Sequence, residues 1–522
     1  AAVARFAVNM LEQMQRQRRS IRFRRTWVLL ALTWALALTD QSIAAARRAD
    51  SLAVLQQGYR EAVEQFSADM RALADFCDQH GYQEDAQHIR QRAVPFAEQT
   101  LNVDDLPESK LPDLPQDIPP VELEWRSKLR KYQSDYADEL YRLARKALSD
   151  GHSSFAFRLI REVAFQYPDH RMARKALGYQ SNEDGWATPY ENTMRRRGHV
   201  WDDRFGWLPR TRLERYENGE RYYNRGWISA EKEAAIRSDF RKAWVVRSEH
   251  FEIHTNHSLE RGVELSVALE DFHRFFMREY AGFFNTPQQI KALLDPGAGS
   301  SRSTGKRHVI HYYRSREEFI TALKPKQANI ELCNGLYLPG DRKAYFYYDP
   351  ENVDANMDTL FHEVTHQLFG ESARAINLVG QEAHFWIIEG IACYLESFER
   401  EDGRLQAGDP RHIRMYWARR RVVDEDYLLP FDRFAALGMR EFQAPGDLDT
   451  LQRYYSQASG MAHFFMHFED GRYRDALILH LSQIYSPDRR VREKARGMDA
   501  LTGVPYDELE RQYRDYIAAL PE

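Results

Sequence analysis

The residues with the most specific chemical arrangement are two histidines four positions apart, with a glutamate directly after the first. His362, Glu363 and His366 form the pattern His-Glu-x-x-His within residues 359–367. On a helix, residues four apart lie on one face, so two imidazoles at this spacing can bind a single tetrahedral metal ion. Glu363 would lie beside the open coordination position, where it could accept a proton from water. The pattern therefore predicts a metal centre on a helix.

A centre with two histidines needs a third protein ligand, and two later glutamates are candidates. Glu389 follows His366 by 23 positions, which leaves room for the end of one helix, a connection and the start of another. Glu382 follows by only 16 positions and would require a tighter return. A zinc site with two histidines and one glutamate keeps one position for water. We therefore predict that His362, His366 and Glu389 bind Zn2+.

Other zinc layouts fit the sequence less well. The extended motif with a third histidine requires a glycine and a histidine where the chain has Phe369 and Ser372, and the inverted motif is absent. His463 and His467 also share a helical face, but no glutamate follows the first of them. They are therefore the weaker metal candidate.

The residues around the predicted third ligand resemble a known superfamily. Its one-zinc aminopeptidases contain the stretch Glu-Gly-x-Ala-x-Tyr-x-Glu, which is similar to Glu389-Gly390-x-Ala392-x-Tyr394-x-Glu396. More broadly, the chain resembles the gluzincin, or peptidase MA-like, superfamily. Phe361–Leu368 and Trp386–Gly390 also resemble a bacterial family of exported gluzincin-like proteins of unknown function. The resemblance covers residues 240 to 520 and implies a zinc metallopeptidase domain there.

The resemblance also implies roles for individual residues. Glu363 would be the general base, and Tyr455 matches the position of a catalytic tyrosine, although the family's following Lys-Gly is Gln457-Ala458 here. A phenol near the zinc could donate a hydrogen bond to the oxyanion of a tetrahedral intermediate. The alternative is that Tyr455 is a packed aromatic residue. Glu396 is expected to hold a ligand histidine through its other ring nitrogen.

The same resemblance bears on the substrate. The Gly-x-Met-Glu-Asn segment by which aminopeptidases hold a substrate amino terminus is missing, so we predict an endopeptidase. In gluzincins, a strand just before the zinc helix runs beside the substrate backbone. The sequence predicts a hairpin there that turns at residues 339–341. Either Gly335–Leu338 or Ala344–Tyr348 would take this role, and the alternative is an ordinary hairpin.

The elements that must position these residues are strands and helices within residues 238–522. Trp244–His254 alternates like a strand, and Val309–Tyr313 is predicted to be a second strand. Helical patterns cover Leu259–Tyr280 and Glu317–Leu323, and the chain after Glu389 is mainly helical. We therefore predict an α+β fold, mainly helical, with a gluzincin-like zinc metallopeptidase domain preceded by a helical-hairpin, tetratricopeptide-like region.

The first 46 residues have the features of an export signal or a membrane anchor. A cluster of arginines between Arg16 and Arg25 precedes the apolar run Trp27–Leu38, and small residues follow at Ala44–Ala46. The run is short for a membrane span, which needs about 20 residues. We therefore predict an extracytoplasmic protein, periplasmic or secreted, with anchoring through this segment as the alternative.

Four further segments precede the metal domain. Residues 47–100 show helical spacing, and residues 101–121 form a Pro-rich linker. In residues 122–180 the pentapeptide Ala-Arg-Lys-Ala-Leu occurs twice, which predicts a small helical-hairpin array. This array could hold a partner protein or serve as a spacer. Residues 181–237 carry three Gly-Trp pairs, which predict short turn-and-strand units, each with a buried tryptophan.

Composition limits the classes of function. A net charge of -5 gives no overall attraction to nucleic acid. The three cysteines are too far apart for a metal spacing or a disulfide framework, and Cys393 is predicted to be a small packing residue. We therefore predict zinc-dependent hydrolysis of a peptide bond in a peptide or protein substrate. The alternative is a non-catalytic envelope binding protein with a vestigial zinc domain.

Overall fold

A computed structural model of the chain describes residues 21–98, 103–115, 117–183, 185–294, 306–373 and 379–521. The described chain is mainly helical with small sheets, which confirms the predicted α+β class. Residues 1–20, the start of the predicted export signal, lie outside the described residues, and residues 21–46 belong to a helix that continues to Gln79. Within the described chain, no helix combines the length and the apolar character needed to span a membrane.

The first helices form a layer with its own hydrophobic core. They are α1 (Ile21–Gln79), α2 (Gln83–Arg92), α3 (Pro120–Ser149), α4 (Ser153–Gln166) and α5 (Arg171–Ala176). Leu55, Met70, Leu140 and Val163 are completely buried between them. Pro120 is the last proline of the Pro-rich segment and the first residue of α3. Proline is tolerated there because the first turn of a helix does not use the backbone N–H that proline lacks.

The repeated pentapeptide lies in helices of unequal length. Its first copy ends the 30-residue α3, and its second copy overlaps the six-residue α5. A three-residue connection joins α3 to α4, and Gly151 supplies the positive φ of 87° that this turn requires. The two longer helices therefore form one hairpin, which packs against α1.

Three similar ββα units follow. The first is β1 (Gln180–Ser181), β2 (Trp186–Ala187) and α6 (Pro189–Arg196). The second is β3 (His199–Asp202), β4 (Gly206–Pro209) and α7 (Leu213–Glu217), and the third is β5 (Glu220–Tyr223), β6 (Gly226–Ser229) and α8 (Ala230–Arg237). Each Gly-Trp pair begins or immediately precedes the second strand of its unit, but only Trp186 is buried, whereas Trp207 and Trp227 are half-buried.

A five-stranded sheet lies at the centre of the remaining chain. Its strands are β7 (Trp244–Arg247), β8 (Phe251–Thr255), β9 (His308–Tyr313), β10 (Leu336–Leu338) and β11 (Lys343–Tyr347), in the order β10-β11-β9-β8-β7. The prediction of one strand over Trp244–His254 was wrong, because the chain reverses at Ser248–His250. Ser248 N donates to Phe251 O at 3.1 Å, and this bond closes the antiparallel turn between β7 and β8.

Helices cover both faces of this sheet and complete the fold. The helices that lie between the strands in the chain or directly after the last of them are α9 (Leu259–Glu279), α10 (Ala281–Phe284), α11 (Pro287–Leu293), α12 (Arg316–Leu323) and α13 (Val353–Ala373). The later elements are α14 (Phe385–Leu395), β12 (Glu399–Glu401), β13 (Arg404–Gln406), α15 (Ile413–Val423), α16 (Phe431–Ala435), α17 (Met439–Gln443), α18 (Leu448–Gly471), α19 (Arg474–Ile484), α20 (Arg489–Glu493), α21 (Met498–Thr502) and α22 (Tyr506–Ala518).

The alternation of buried side chains along the strands explains this layering. Ile310 and Phe346 join α9 and α13 in the main core, whereas Tyr313 and Tyr345 join Phe319 of α12 on the opposite face. One face of the sheet therefore packs against α13, the helix that carries His-Glu-x-x-His.

Candidate metal centre

Helix α13 presents His362, Glu363 and His366 from an anchored backbone. Its opposite face is buried in the main core through Leu360, Phe361, Val364 and Leu368, which are at most 4% exposed. On the ligand side, Gly335 lets the chain that leads into β10 approach α13. A Cβ at this position would lie 2.7 Å from the Thr359 side chain.

Helix α14 delivers Glu389 from a fully buried position. All eleven of its residues are buried, and Glu389 itself is only 5% exposed. The next residue, Gly390, allows close contact with α18, because a Cβ there would lie 2.6 Å from the backbone oxygen of Ala458. Close packing of these two helices therefore determines where the carboxylate of Glu389 lies.

Three potential ligand atoms converge between α13 and α14. The Nε2 atoms of His362 and His366 are 3.2 Å apart, and the Oε2 atom of Glu389 lies 3.5 Å from the first and 3.9 Å from the second. Two ligands of a tetrahedral zinc ion at about 2.0–2.1 Å are separated by about 3.3–3.4 Å. The donor set therefore fits zinc in both chemistry and spacing.

A chain of hydrogen bonds orients one of the two ligand histidines. The Nδ1 atom of His362 lies 2.8 Å from Oε1 of Glu396, and Arg414 donates to both oxygens of Glu396 at 2.6 and 2.8 Å. If Nδ1 carries the proton, Nε2 presents its lone pair to the site. Glu396 thus lies where an outer partner of a metal-binding histidine is expected.

The electrostatics of the site favour a bound cation. Burial opposes ionisation of Glu389, but its hydrogen bond with His362 and the charges of the two histidines lower its pKa below the ordinary value. Burial also opposes ionisation of Glu396, but hydrogen bonds from His362 and Arg414 lower its pKa to about 2. Both carboxylates are therefore charged at neutral pH, and their negative charge would favour a bound cation.

The pKa values of the two histidines shift in opposite directions. Burial disfavours the charged form of His362, but hydrogen bonds with Cys393, Glu389 and Glu396 raise its pKa well above the ordinary value. Burial is also the main effect on His366, and there it prevails and lowers the pKa, although Glu389 acts against it.

Glu363 lies outside the ligand triangle. Its Oε2 atom accepts a hydrogen bond from the backbone N–H of Tyr337, at 2.8 Å. Because this N–H bonds to Glu363 of α13, it is directed toward α13 and away from the ladder that β10 forms with β11. The carboxylate is therefore held between α13 and the outer edge of β10.

Tyr455 is packed against another aromatic residue and also reaches Glu389. It interacts with Glu389 by a hydrogen bond that helps to lower the pKa of that carboxyl. Burial, followed by the charge of Glu389, raises the pKa of the Tyr455 phenol. Its ring also packs edge-on against Phe442, at 5.4 Å between centroids. Tyr455 is therefore a packed residue whose polar end reaches the ligand set.

The competing metal candidates lie elsewhere. Glu382 is exposed in the connection that leads to α14. His463 and His467 stack at 4.6 Å between ring centroids, but His463 bonds to Gly408 O and Tyr516 Oη, and His467 bonds to Tyr394 Oη. These two histidines are therefore engaged in structural hydrogen bonds.

Sequence reasoning missed three participants. Arg414 lies 18 positions after Glu396 and follows no fixed spacing, and the Tyr337 N–H is a backbone group that every residue except proline has. Cys393 is completely buried, as a packing residue should be, but its sulfur also lies within 4.8 Å of ligand-type atoms of His362 and Glu396. The only available signal was that Cys393 follows Glu389 by one helical turn.

The chain matches no protein-family model, no curated protein and no solved structure. The functional interpretation therefore depends on the residues of this centre and their geometry.

Proposed function

We propose that this protein is a zinc-dependent peptidase that cleaves internal peptide bonds. The observation that carries the proposal is the convergence of His362, His366 and Glu389. Glu363 lies on the same helix as the two histidines but outside the ligand set, so it is available as a base. Zinc held by these three residues would polarise a carbonyl group and lower the pKa of a water molecule toward neutrality. The rest of the chemistry belongs to the side chains around it.

Glu363 is the proposed general base. It follows His362 directly and lies about 100° further around α13, so its carboxylate lies beside the ligand face without joining the ligands. It would take the proton of the attacking water and pass it to the leaving amine. The Tyr337 N–H, which bonds to one oxygen at 2.8 Å, would keep the carboxylate in place for both transfers.

Tyr455 is the proposed donor to the oxyanion. Burial keeps its phenol protonated at neutral pH, since the pKa of the phenol is raised. A protonated phenol beside the ligand set can donate a hydrogen bond to negative charge that develops on the carbonyl oxygen.

Strand β10 is the proposed support for the substrate backbone. It ends the sheet, whereas β11 has β10 on one side and β9 on the other. Residues Leu336–Leu338 are therefore favoured over Ala344–Tyr348, because only an edge strand can accept another extended chain beside it. The edge of β10 also adjoins Glu363, so a chain bound there would pass the general base.

Metal analysis and a digest of a broad peptide library, performed on one purified sample, test this function. We expect about one zinc ion per chain. We also expect cleavage at internal bonds that a chelator abolishes and added zinc restores. Acetylation of the peptide amino terminus should leave cleavage unchanged. If the zinc-loaded protein cleaved no peptide, the binding-protein alternative would replace this proposal.

A further inference from the structure

A cavity of about 440 Å³ lies outside the candidate metal centre. It is between the N-terminal helical layer and the part of the chain that contains the five-stranded sheet. Helix α9 forms one wall, and α4, the start of α6 and the residues before β8 form others. The volume falls within the range of about 300–1,000 Å³ that is typical of small-molecule sites. This cavity is therefore large enough for an organic ligand.

The wall formed by α9 is charged along its length. Glu270, His273, Arg274 and Arg278 all line the cavity, and their spacing of three, four and eight positions places them on one helical face. A face buried under another layer is usually apolar. Glu270, Arg274 and Arg278 each have a protein partner, and what distinguishes this face is that these ion pairs border an open cavity.

The arginine end of the cavity has an excess of positive charge. Arg161, Arg274 and Arg278 line it, together with one carboxylate, Asp104. Asp104 accepts from Arg278 Nη1 at 2.7 Å, and Arg161 Nη1 lies 3.5 Å away from it. Arg278 Nη2 and Arg161 Nε are buried without a hydrogen-bond partner among the described residues. Planar guanidinium groups with spare donors are suited to an additional carboxylate.

The glutamate end has the opposite character. Glu191, Glu249 and Glu270 line it with His250, whose Nδ1 lies 2.7 Å from Glu270 Oε2. Burial and the neighbouring carboxylates raise the pKa of Glu249 above its ordinary value. Lys306 also borders the cavity, but it is exposed, so solvent screens its charge. A cationic group from a ligand would therefore be favoured beside Glu249.

The histidines at this end do not favour a metal ion. Atoms of His250, Glu270 and His273 lie within 4.8 Å of one another, but the two imidazole rings stack at 3.8 Å with an angle of 20° between their planes. The lone pairs of nearly parallel rings lie in separate planes and do not converge on one ion. Glu270 and His250 therefore form a hydrogen-bonded ion pair, and the ring of His273 stacks on that of His250.

We propose that this cavity binds a short peptide with free termini, with its carboxylate at the arginine end and its ammonium group at the glutamate end. Glu270 and Arg278 are separated by about 12 Å along α9, at about 1.5 Å per residue. An extended tripeptide spans about 10–11 Å, at about 3.3–3.6 Å per residue. A free amino acid is too short to reach from Glu270 to Arg278, and Arg274 lies between these two residues on the same face. The site is separate from the metal centre and does not depend on hydrolysis there.

Calorimetric titration of trialanine into the metal-free full-length chain tests the proposal, because removal of the metal prevents cleavage. We expect saturable binding to one site. Arg274→Gln should weaken it by about tenfold or more, since a hydrogen bond to a charged group is lost. Arg400→Gln is the matched control, because Arg400 bonds to Asp271, the same carboxylate that pairs with Arg274, but does not line the cavity. It should leave the affinity nearly unchanged.

Modified peptides identify which end of the cavity holds which terminus. Amidation of the carboxyl terminus should weaken binding to the wild type, and Arg274→Gln should then cause no further loss. Acetylation of the amino terminus should likewise weaken binding to the wild type, and Glu249→Gln should then cause no further loss of affinity. Equal affinity for trialanine and its amide would overturn the proposal, as would tighter binding of inorganic phosphate than of trialanine. Loss of binding in Glu363→Gln but not in Arg274→Gln would assign the peptide to the metal centre instead.

Discussion

At the scale of single residues, Glu363 is the position at which the proposed metal binding can be tested separately from the proposed catalysis. Its carboxylate bonds to the Tyr337 N–H and not to a ligand histidine. Glu363→Gln keeps the size and an oxygen that can accept this bond, but it removes the base. We therefore expect zinc content and folding near the wild-type level, with a hydrolysis rate lower by about 10²- to 10⁴-fold. Metal analysis and a peptide-cleavage assay on the same preparation measure both.

The two results for this variant must occur together. Loss of zinc would identify Glu363 as a ligand or a structural support. Retained zinc with an unchanged rate would show that the measured hydrolysis arises at another site.

A second prediction at this scale ranks three carboxylates by their effect on zinc affinity. Loss of an outer hydrogen-bond partner typically weakens a metal site by about 10–100-fold. We expect Glu396→Gln to fall in this range, Glu389→Ala to exceed it, and Glu382→Ala to have little effect. The physical reason is that Glu389 joins the ligand triangle, Glu396 contacts only His362 within it, and Glu382 is exposed. Competition with a chromophoric chelator measures the order of the three zinc affinities. A larger loss of affinity in Glu382→Ala than in Glu389→Ala would show that Glu389 is not the third ligand.

At the scale of elements, the contact between α14 and α18 positions Glu389, the proposed third ligand. Gly390→Ala would place a Cβ 2.6 Å from the backbone oxygen of Ala458, which cannot move as a side-chain end can. We expect a loss of about 1–3 kcal/mol in the free energy of unfolding, as for other overpacked sites. Zinc affinity should fall as well, because Glu389 is the preceding residue.

Gly340→Ala is the control for this substitution. An added Cβ there meets no atom within 4 Å, so the free energy of unfolding should change by less than about 0.5 kcal/mol. Chemical denaturation of both variants gives the comparison. Equal stability of Gly390→Ala and the wild type would mean that the two helices can separate without cost.

Another prediction concerns three helices of the N-terminal layer, which meet at one buried carboxyl group. Glu162 of α4 accepts hydrogen bonds from Tyr59 of α1 at 2.8 Å and from Tyr136 of α3 at 2.6 Å. Burial raises the pKa of Glu162 above its ordinary value, despite these hydrogen bonds. The folded state therefore holds a proton at pH values where the unfolded state has lost it, so this group stabilises the fold less as pH rises above its unfolded pKa.

Glu162→Gln should remove that dependence. Relative to wild type, we expect the variant to gain stability as pH rises from 4 to 8, when thermal unfolding is measured at both ends of this range. Glu64→Gln on the exposed side of α1 should show no such gain. A constant difference between Glu162→Gln and wild type at all pH values would contradict the prediction.

At the scale of the whole molecule, the N-terminal helical layer shares polar contacts with the part of the chain that contains the five-stranded sheet and the candidate metal centre. Asp475 at the start of α19 accepts from the backbone of Ser154 at 3.2 Å and from the Ser153 hydroxyl at 3.1 Å, both at the start of α4. Asp104, from the Pro-rich segment, accepts from Leu405 N at 2.8 Å and from Arg278. The segment predicted to be a linker is therefore anchored between the two parts at this point.

A further prediction concerns the location of the whole protein. The arginine cluster, the short apolar run and the small residues after it motivate the proposal that residues 1–46 direct export. A reporter enzyme that is active only outside the cytoplasm, fused after Asp50, should therefore be active. The same fusion without residues 1–46 is the control. Equal activity of both fusions, or none from either, would contradict the proposal.

Much of the local structure could be predicted from the sequence. His362 and His366 lie on one face of α13 because residues four apart in a helix are stacked one turn above the other, whatever surrounds them. The hairpin of β10 and β11 was also predicted from alternation and a Pro-Gly turn. The break between β7 and β8 was missed, because Ser248–His250 contains neither glycine nor proline.

The tertiary structure alone decided which distant residues meet at the sites. It brings Glu389 rather than Glu382 to the histidines, adds Arg414 behind Glu396, and makes β10 rather than β11 the edge of the sheet. It also places the charged face of α9 against α4 across a cavity. The physical reason is range: backbone hydrogen bonds and side-chain periodicity act over a few residues. Contacts between residues far apart depend on how the complete cores pack.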